Sequence, residues 1–266
     1  MKYCTLLLFF WATLPAFSNE YRVCGSKVDR DMAGLETYQL KDDARLPFAV
    51  HLSWRSLGGA APGRLNHCGG AIVDRNWVLT ARHCVGDRSW ALMGVDVPAL
   101  GISVEADLAL CPDHDVQFPK DDVALLRLSE PLPEGAAIAA FGAVVRDFPF
   151  AGHIGRWPVR RGVPAKDMLV SPISITSETG LPMLSGLMDI RHERVPCGGE
   201  SGSMLIGPND GLIGVLSAIS SPSGGRPDCR DPDTKIFVTP LGTWRDWVAD
   251  SIAACDGDRA ACVRPE

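Results

Sequence analysis

The amino-acid sequence predicts an all-β fold, a sandwich or a pair of barrels, from three observations. Short apolar runs of β-type residues recur along the chain, separated by turn-forming residues. The 266 residues include 27 Gly and 20 Pro, which favours many turns over long helices. The strands do not alternate with helical segments, as they would in an α/β fold. With 46% hydrophobic and 22% charged residues, the composition excludes wholesale disorder.

The elements follow one another in a simple order. Residues 19–46 are polar without a clear period, and we expect an N-terminal arm or prosegment there. Strands are predicted at residues 48–54, 70–73, 77–80, 123–128, 173–176, 203–206, 212–217 and 236–238. A polar, Pro-containing stretch at about 129–150 joins two halves. Helical spacing recurs near the end, at Leu241, Trp244, Val248 and Ile252.

The first 18 residues have the pattern of a secretory signal peptide. Lys2 gives a positive start, residues 6–11 are apolar, and Ala16 and Ser18 are small residues at a cleavage site. The apolar run is shorter than the roughly 20 residues that a membrane-spanning helix needs. We therefore expect a secreted protein, extracellular or periplasmic, that is not bound to a membrane after signal removal.

The cysteines agree with export. Nine are present, and Cys4 leaves with the signal. The other eight could form four disulfides in any of 105 arrangements. No Cys-x2-Cys pair and no zinc-finger spacing occurs, so we expect no metal and no cofactor. The formal charge of −6 and the lack of a Lys/Arg-rich run argue against nucleic acid as a partner.

A Gly-rich string around Ser201 is the first candidate for chemistry. It reads CGGESGS over residues 197–203. A serine nucleophile needs a base to take its proton and donors for the oxyanion that forms. Glycines let the backbone turn tightly, so the amides of Gly199 and Ser201 could supply those donors. On its own the string fits a simple Gly/Ser-rich turn equally well.

Chain order limits the choice of base. All six histidines precede Ser201, which excludes the Ser-Asp-His order of α/β-hydrolases and leaves His-Asp-Ser or Asp-His-Ser. His83 is favoured because a bridge between Cys68 and Cys84 would close a loop of about 15 residues around it, worth about 3 kcal/mol. His67 and His192 are rivals without an evident strand setting.

Asp122 is the candidate acid, since it opens an apolar strand where a carboxylate can be partly buried and orient a histidine. Alternation along that strand should send Asp121 to the opposite side.

Three strings together resemble the trypsin/chymotrypsin-like serine proteases (peptidase family S1), over about residues 47–254. They are CGGAIV continuing to WVLTARHC, DDVALLRL, and CGGESGSML. The resemblance implies two antiparallel six-stranded barrels, at about 47–130 and 150–240, and a C-terminal α-helix at 241–254. It implies that His83 is the general base, Asp122 its orienter and Ser201 the nucleophile, with the amides of Gly199 and Ser201 as the oxyanion hole. Ser217 matches a serine that supports the buried aspartate.

The resemblance also implies disulfides. Cys68–Cys84 and Cys197–Cys229 match two bridges of the family. We assign the remaining four cysteines to Cys24–Cys111 and Cys255–Cys262, the second of which would close the tail at 255–266.

The specificity pocket implied by the resemblance involves Val195, Ser217 and Ile219. Val195 offers no carboxylate to a substrate Lys or Arg, and Ile219 stands where a glycine usually keeps the pocket open. We expect a pocket that is not trypsin-like and prefers small aliphatic side chains. Lys235 is a rival feature that would favour acidic ones.

Glu200 is the departure that bears most on activity, because the resembling family usually has aspartate there. In that family a new N-terminal ammonium pairs with this carboxylate after cleavage. The Ile-Val-Gly-Gly start of typical active forms is missing, and Ser203-Met204 replaces Gly-Pro. We expect that internal donors or a nearby Arg satisfy Glu200, and that no cut at Arg22 or Arg30 is needed.

The function predicted is a secreted, monomeric serine endopeptidase that acts on protein or peptide substrates. The alternative is a catalytically silent homologue that serves as a binding module, which Glu200 keeps open. An esterase of another fold is disfavoured by the position of the histidines.

Overall fold

The computed structural model describes residues 21–27, 37–57, 63–86, 88–113, 118–177, 184–188, 194–222, 224–225, 227–255 and 262. The predicted signal peptide lies outside these residues. No helix in the described part of the chain is long and apolar enough to cross a membrane.

The first half of the chain forms a closed β-barrel. Its strands are β1 (Tyr21–Lys27), β2 (Ala49–Ser56), β3 (Leu65–Asp74), β4 (Trp77–Thr80), β5 (Arg88–Val97), β6 (Ile102–Pro112) and β7 (Ala124–Leu128), with the short helix α1 (Arg82–Val85) after β4. Six of them close an antiparallel ring in the order β2-β3-β4-β7-β6-β5. Strand β1 joins the ring at the β5–β6 seam, antiparallel to β6 and parallel to β5.

The second half forms another closed barrel. This half contains the strands β8 (Phe150–Arg156), β9 (Val159–Arg160), β10 (Val163–Pro164), β11 (Leu169–Ser177), β12 (Leu184–Met188), β13 (Met204–Ile206), β14 (Leu212–Ser220) and β15 (Lys235–Pro240), all of which except β9 and β10 belong to the barrel. The antiparallel ring runs β8-β11-β12-β15-β14-β13, and β9 and β10 pair as a separate hairpin. Helix α2 (Arg245–Cys255) follows. The predicted fold class, two six-stranded antiparallel barrels with a C-terminal helix, is confirmed.

The predicted N-terminal arm differs from the structure. Tyr21–Lys27 is a barrel strand because its backbone pairs with both β5 and β6, and Cys24 bridges to Cys111 on β6. The polar pattern of this segment concealed the strand, since only part of it faces the core.

Apolar side chains hold each barrel together. In the first, Trp77 and Trp90 are both 1% exposed, and the indole N–H of Trp90 donates to the Ala106 carbonyl at 3.2 Å. Helix α2 packs Trp247 and Val248 against the same core. Each large side chain buried in this way stabilises the fold by about 1.5–3 kcal/mol. The packed barrels therefore form the scaffold that supports the loops between them.

Four disulfides cross-link the strands, helices and loops of this scaffold. Cys24–Cys111 joins β1 to β6, and Cys68–Cys84 joins β3 to α1. Cys197–Cys229 links the loop before β13 to the loop before β15, and Cys255–Cys262 closes the end of α2.

Candidate active site

The predicted catalytic residues lie where the two barrels meet. His83 lies on α1, Asp122 lies just before β7, and Ser201 lies in the loop before β13. The amide of Gly69 on β3 donates to the Ser201 carbonyl at 2.7 Å, which ties the loop of the second barrel to the first. The site thus draws on both halves of the chain.

His83 is held by the carboxylate of Asp122. Its ring Nδ1 lies 2.6 Å from Asp122 Oδ2, and its backbone N–H donates to Oδ1 at 2.8 Å. The carboxylate accepts hydrogen bonds, so Nδ1 carries the proton and Nε2 is left as the basic nitrogen. The His83 side chain is 35% exposed whereas that of Asp122 is 1% exposed, so the basic nitrogen belongs to the partly open member of the pair.

A third donor fixes the carboxylate. The hydroxyl of Ser217 on β14 donates to Asp122 Oδ2 at 2.5 Å. The structure differs from the sequence-based expectation for Asp121, which is also buried, at 4% exposure. Both aspartates precede β7, so strand alternation does not separate them. What distinguishes Asp122 is its contact with His83.

The loop at Ser201 forms a tight turn. The amide of Glu200 donates to the Cys197 carbonyl at 3.0 Å, and Gly199 has φ +92°. A positive φ at the third residue alone, with this hydrogen bond, defines a type II turn, which requires glycine there. Residue 199 is therefore a glycine because the turn requires a positive φ at that position.

Two backbone amides in the Ser201 loop, those of Gly199 and of Ser201 itself, lack a hydrogen-bond acceptor among the described residues. The N–H groups of Glu200, Gly202 and Ser203 all donate to carbonyls, whereas those of Gly199 and Ser201 have no acceptor among the described residues. Both residues line the cleft, so their amides are available to donate to a bound substrate.

Gly202 makes the close contact between the barrels possible. A Cβ there would lie 2.3 Å from the Gly69 carbonyl oxygen and 2.5 Å from the Thr80 hydroxyl, and its φ is +78°. Any other residue would push the Ser201 loop away from β3.

Ser201 and His83 line the same cleft. Within the described residues, no hydrogen bond joins the Ser201 hydroxyl to His83 Nε2. In unliganded enzymes such bonds are often long and shorten only in the substrate complex.

His67 lies on β3, contrary to the expectation that it lacks a strand setting, but both of its ring nitrogens have partners outside the Ser201 loop. Its Nδ1 lies 3.2 Å from His51 Nε2, its Nε2 lies 2.8 Å from the Gly162 carbonyl, and His51 contacts Asp96 at 3.1 Å. Burial, and then the neighbouring His51, lower the pKa of His67 to about 4. Both of its nitrogens are occupied. The other rival, His192, lies outside the described residues.

The three residues expected in the specificity pocket do not line this cleft. Val195 is fully buried in the second barrel, Ser217 is 4% exposed, and Ile219 packs half-buried against the same core. Val195 therefore presents no surface to a substrate in this structure. The cleft is lined instead by residues on the side of β3, α1 and the β9–β10 hairpin, including Trp54, Arg64, His67, Arg161, Gly162 and Gly199.

Two arginines that the sequence analysis did not name contact Glu200. Arg156 Nη1 lies 2.9 Å from Glu200 Oε2, and Arg194 Nη2 contacts Oε1. Glu200 itself is 1% exposed. The expectation that a nearby Arg satisfies this carboxylate matches these contacts, but no local motif indicated which arginine.

Comparisons with known proteins agree with one another. The family model described as Trypsin matches residues 38–154. Kallikrein-2 from Homo sapiens is 29% identical over 227 residues, which cover 71% of this chain and 81% of that protein. Serine protease SP24D from Anopheles gambiae is 26% identical over 194 residues, covering 66% of this chain and 70% of that protein.

Solved structures give the same fold. Neuropsin, a serine protease expressed in mouse brain, has a TM-score of 0.59 at 19% identity, covering 78% of this chain and 95% of its own. Kallikrein-related peptidase 10 has a TM-score of 0.59 at 23% identity, covering 80% of this chain and 99% of its own. At these identities the likeness supports the fold alone.

Proposed function

The chain is a trypsin-like serine protease, a serine-type endopeptidase, and from this premise we propose that Ser201, His83 and Asp122 carry out the reaction. The observation that carries the proposal is the arrangement around Ser201. A histidine oriented by a buried carboxylate shares its cleft, and the amides of Gly199 and Ser201 in the same loop have no acceptor among the described residues.

Acylation begins when a peptide carbonyl carbon comes within reach of the Ser201 hydroxyl. His83 Nε2 takes the hydroxyl proton as the oxygen attacks, and the carbonyl oxygen becomes an oxyanion. The Gly199 and Ser201 amides donate to that oxyanion. His83 then passes the proton to the leaving amine, the C–N bond breaks, and an acyl ester on Ser201 remains.

Deacylation repeats these roles with water. His83 Nε2 takes a proton from water, the hydroxide oxygen attacks the ester carbon, and the same amides hold the second oxyanion. The Ser201 oxygen leaves with the proton from His83, which restores the enzyme. Throughout, Asp122 accepts the Nδ1–H bond, which keeps Nε2 basic and stabilises the imidazolium that forms in each half.

Secretion and specificity are further parts of the proposal. The signal-like residues 1–18 and the four disulfides support an oxidising compartment. By the resemblance, we place the residue before the cut on the β14 side, at the half-buried Ile219. Because Ile219 carries no charge to pair with a basic side chain, we expect poor cleavage after Lys or Arg.

The test is hydrolysis of a quenched fluorescent casein by the chain from Asn19 and by Ser201→Ala and His83→Ala variants. Triad members act as a unit, so each variant should lose about 10³-fold or more in kcat while keeping the wild-type melting temperature. A wild-type chain that folds and cleaves nothing would favour the silent binding module.

A further inference from the structure

The structure points to an active site that assembles without any new N-terminus, because Arg156 and Arg194 already neutralise Glu200. We propose that these arginines are positioning residues that hold the oxyanion loop in its working shape in the uncut chain. The inference rests on the proposed function.

The contacts around Glu200 are buried. The side chains of Arg156 and Glu200 are 0% exposed, and that of Arg194 is 16% exposed. Arg156 binds one carboxylate oxygen at 2.9 Å, and Arg194 binds the other. The amide of Val159 also lies 3.4 Å from the second oxygen. Both oxygens therefore have cationic donors supplied by the same chain.

Charge explains why such partners are required. Burial raises the pKa of the Glu200 carboxyl, and the two guanidinium groups oppose that shift. A buried carboxylate that loses its partner strongly destabilises the folded state. In the resembling family an ammonium fills this role after cleavage, whereas here two arginines occupy the position from the start.

The same arginines connect the carboxylate to the oxyanion loop. Arg156 also donates to the Arg194 carbonyl at 2.8 Å, and Arg194 donates to the Val159 carbonyl at 3.2 Å. Val159 in turn packs against Gly199, since a Cβ at residue 199 would lie 3.0 Å from the Val159 side chain. Glu200 lies between Gly199 and Ser201 in the chain. Holding the Glu200 side chain in place therefore also holds the two neighbouring amides in position.

The N-terminal segment is held elsewhere. Val23 pairs with Leu110 inside the first barrel, and the adjacent Cys24 is bridged to Cys111. An amino group created by cutting after Arg22 would have to leave this strand to approach Glu200. Arg30, the second tryptic site, lies outside the described residues.

The first experiment asks whether cleavage is needed. The chain from Asn19 is made with Arg22→Gln and Arg30→Gln, its intact mass is measured, and active sites are titrated with a fluorescent organophosphonate. We expect full titration of untrimmed protein. Protein that titrates only after a cleavable site is restored and cut overturns the inference. Protein that never titrates, cut or uncut, overturns the proposed function and this inference with it.

The second experiment tests the arginines. Arg156→Gln and Arg194→Gln should each lower kcat about 100-fold with KM within several-fold, the loss expected when an oxyanion donor is misplaced. Arg160→Gln, an exposed neighbour on β9, is the matched control and should be unchanged. Because the Arg194 side chain is partly exposed, Arg194→Gln should still fold, and its kinetics decide the result if Arg156→Gln does not fold. A folded Arg194→Gln variant with wild-type kcat overturns the role of the pair.

A separate observation concerns the cleft itself. Arg64 and Arg161 are exposed, line the cleft beside Ser201, and have no ion pair or side-chain hydrogen bond within the described residues. No described carboxylate lines the cleft, although the chain as a whole has a formal charge of −6. We propose that this cleft binds acidic side chains of the substrate.

Backbone geometry supports a dedicated position for Arg161. It lies at the tip of the β9–β10 hairpin with φ +52°, followed by Gly162 at φ +78°. Two successive positive φ values define a type I′ turn, and a non-glycine residue in the first position is strained. His67 bonds to the Gly162 carbonyl at 2.8 Å, which anchors the hairpin to β3.

The side of the cleft indicates which substrate residues it binds. Its lining includes Ser201, Cys68, Cys84 and the hairpin, and no described residue of β14. With the residue before the cut placed on the β14 side by the resemblance, we infer that the residues after the cut bind near the two arginines.

The test compares two peptides that differ only in Asp or Asn at the second and third positions after the cut. We expect kcat/KM to be about 3- to 10-fold higher for the acidic peptide at low salt, and the gap to close at high salt. Arg64→Gln with Arg161→Gln should bring kcat/KM of the acidic peptide down to that of the neutral peptide, whereas Arg160→Gln should keep the wild-type preference. Equal rates in the wild type overturn the proposal. Failure to cleave either peptide overturns the proposed function.

Discussion

Asp122→Asn tests the proposed catalytic geometry most sharply. The native carboxylate accepts three hydrogen bonds, from the His83 amide at 2.8 Å, His83 Nδ1 at 2.6 Å and the Ser217 hydroxyl at 2.5 Å. An asparagine keeps the shape but has one acceptor oxygen. If its NH2 faces the imidazole, Nδ1 must become the acceptor, and the ring proton moves to Nε2.

The magnitude follows from that tautomer. With the proton on Nε2, His83 cannot take the Ser201 proton, and the buried anion that stabilises the imidazolium is also gone. The loss is about 10⁴-fold in kcat. This corresponds to about 5 kcal/mol in activation free energy.

The assay is steady-state hydrolysis of a fluorogenic peptide from pH 6 to 9, beside thermal unfolding of each variant. Asp121→Asn is the matched control, since Asp121 is also buried, whereas the His83 amide and ring both bond to Asp122. Its kcat should fall far less. If Asp121→Asn abolishes activity while Asp122→Asn keeps a tenth or more, the assignment of the two aspartates is wrong.

Three other variants follow from the structure. Gly199→Ala places a Cβ at φ +92° and should lower kcat about 100-fold, whereas Gly198→Ala, with open space around it, should not; stopped-flow acylation rates check this. Gly202→Ala should destabilise the fold by about 3 kcal/mol or more, against about 1 kcal/mol for Gly101→Ala, which has positive φ and open space, as measured by urea unfolding. The lowered pKa of His67 means that folding disfavours its protonation, so stability should fall by about 3 kcal/mol as pH drops from 6.5 through 4. His67→Gln should flatten that part of the stability curve, and an unchanged slope would contradict the assignment.

Much of the fold and the candidate catalytic residues could be predicted from local sequence. His83, Asp122 and Ser201 each stand in a contiguous string, so residue types and spacing are enough to propose them as candidates, and the structure places His83 against Asp122 and in one cleft with Ser201. Strand β6 was not predicted, although alternation in its central part is visible in both sequence and burial. A systematic count of period-two patterns could have found it.

Contacts between distant segments could not be predicted in this way. Arg156 lies 44 residues before Glu200, and nothing in either segment indicates that the barrel brings them together. Strand β1 was missed for a related reason, because it is polar and is held in place by pairing with β5 and β6. The burial of Val195 likewise depends on the packing of the second barrel.

Covalent labelling shows directly whether Ser201 is the nucleophile. The chain from Asn19 is incubated with a fluorophosphonate, and the intact mass and the labelled peptide are measured. We predict one adduct per molecule, located on Ser201, that is absent in Ser201→Ala and forms much more slowly in His83→Ala. A folded wild-type protein that takes no label, or takes it on another residue, would contradict the proposed catalytic role of Ser201.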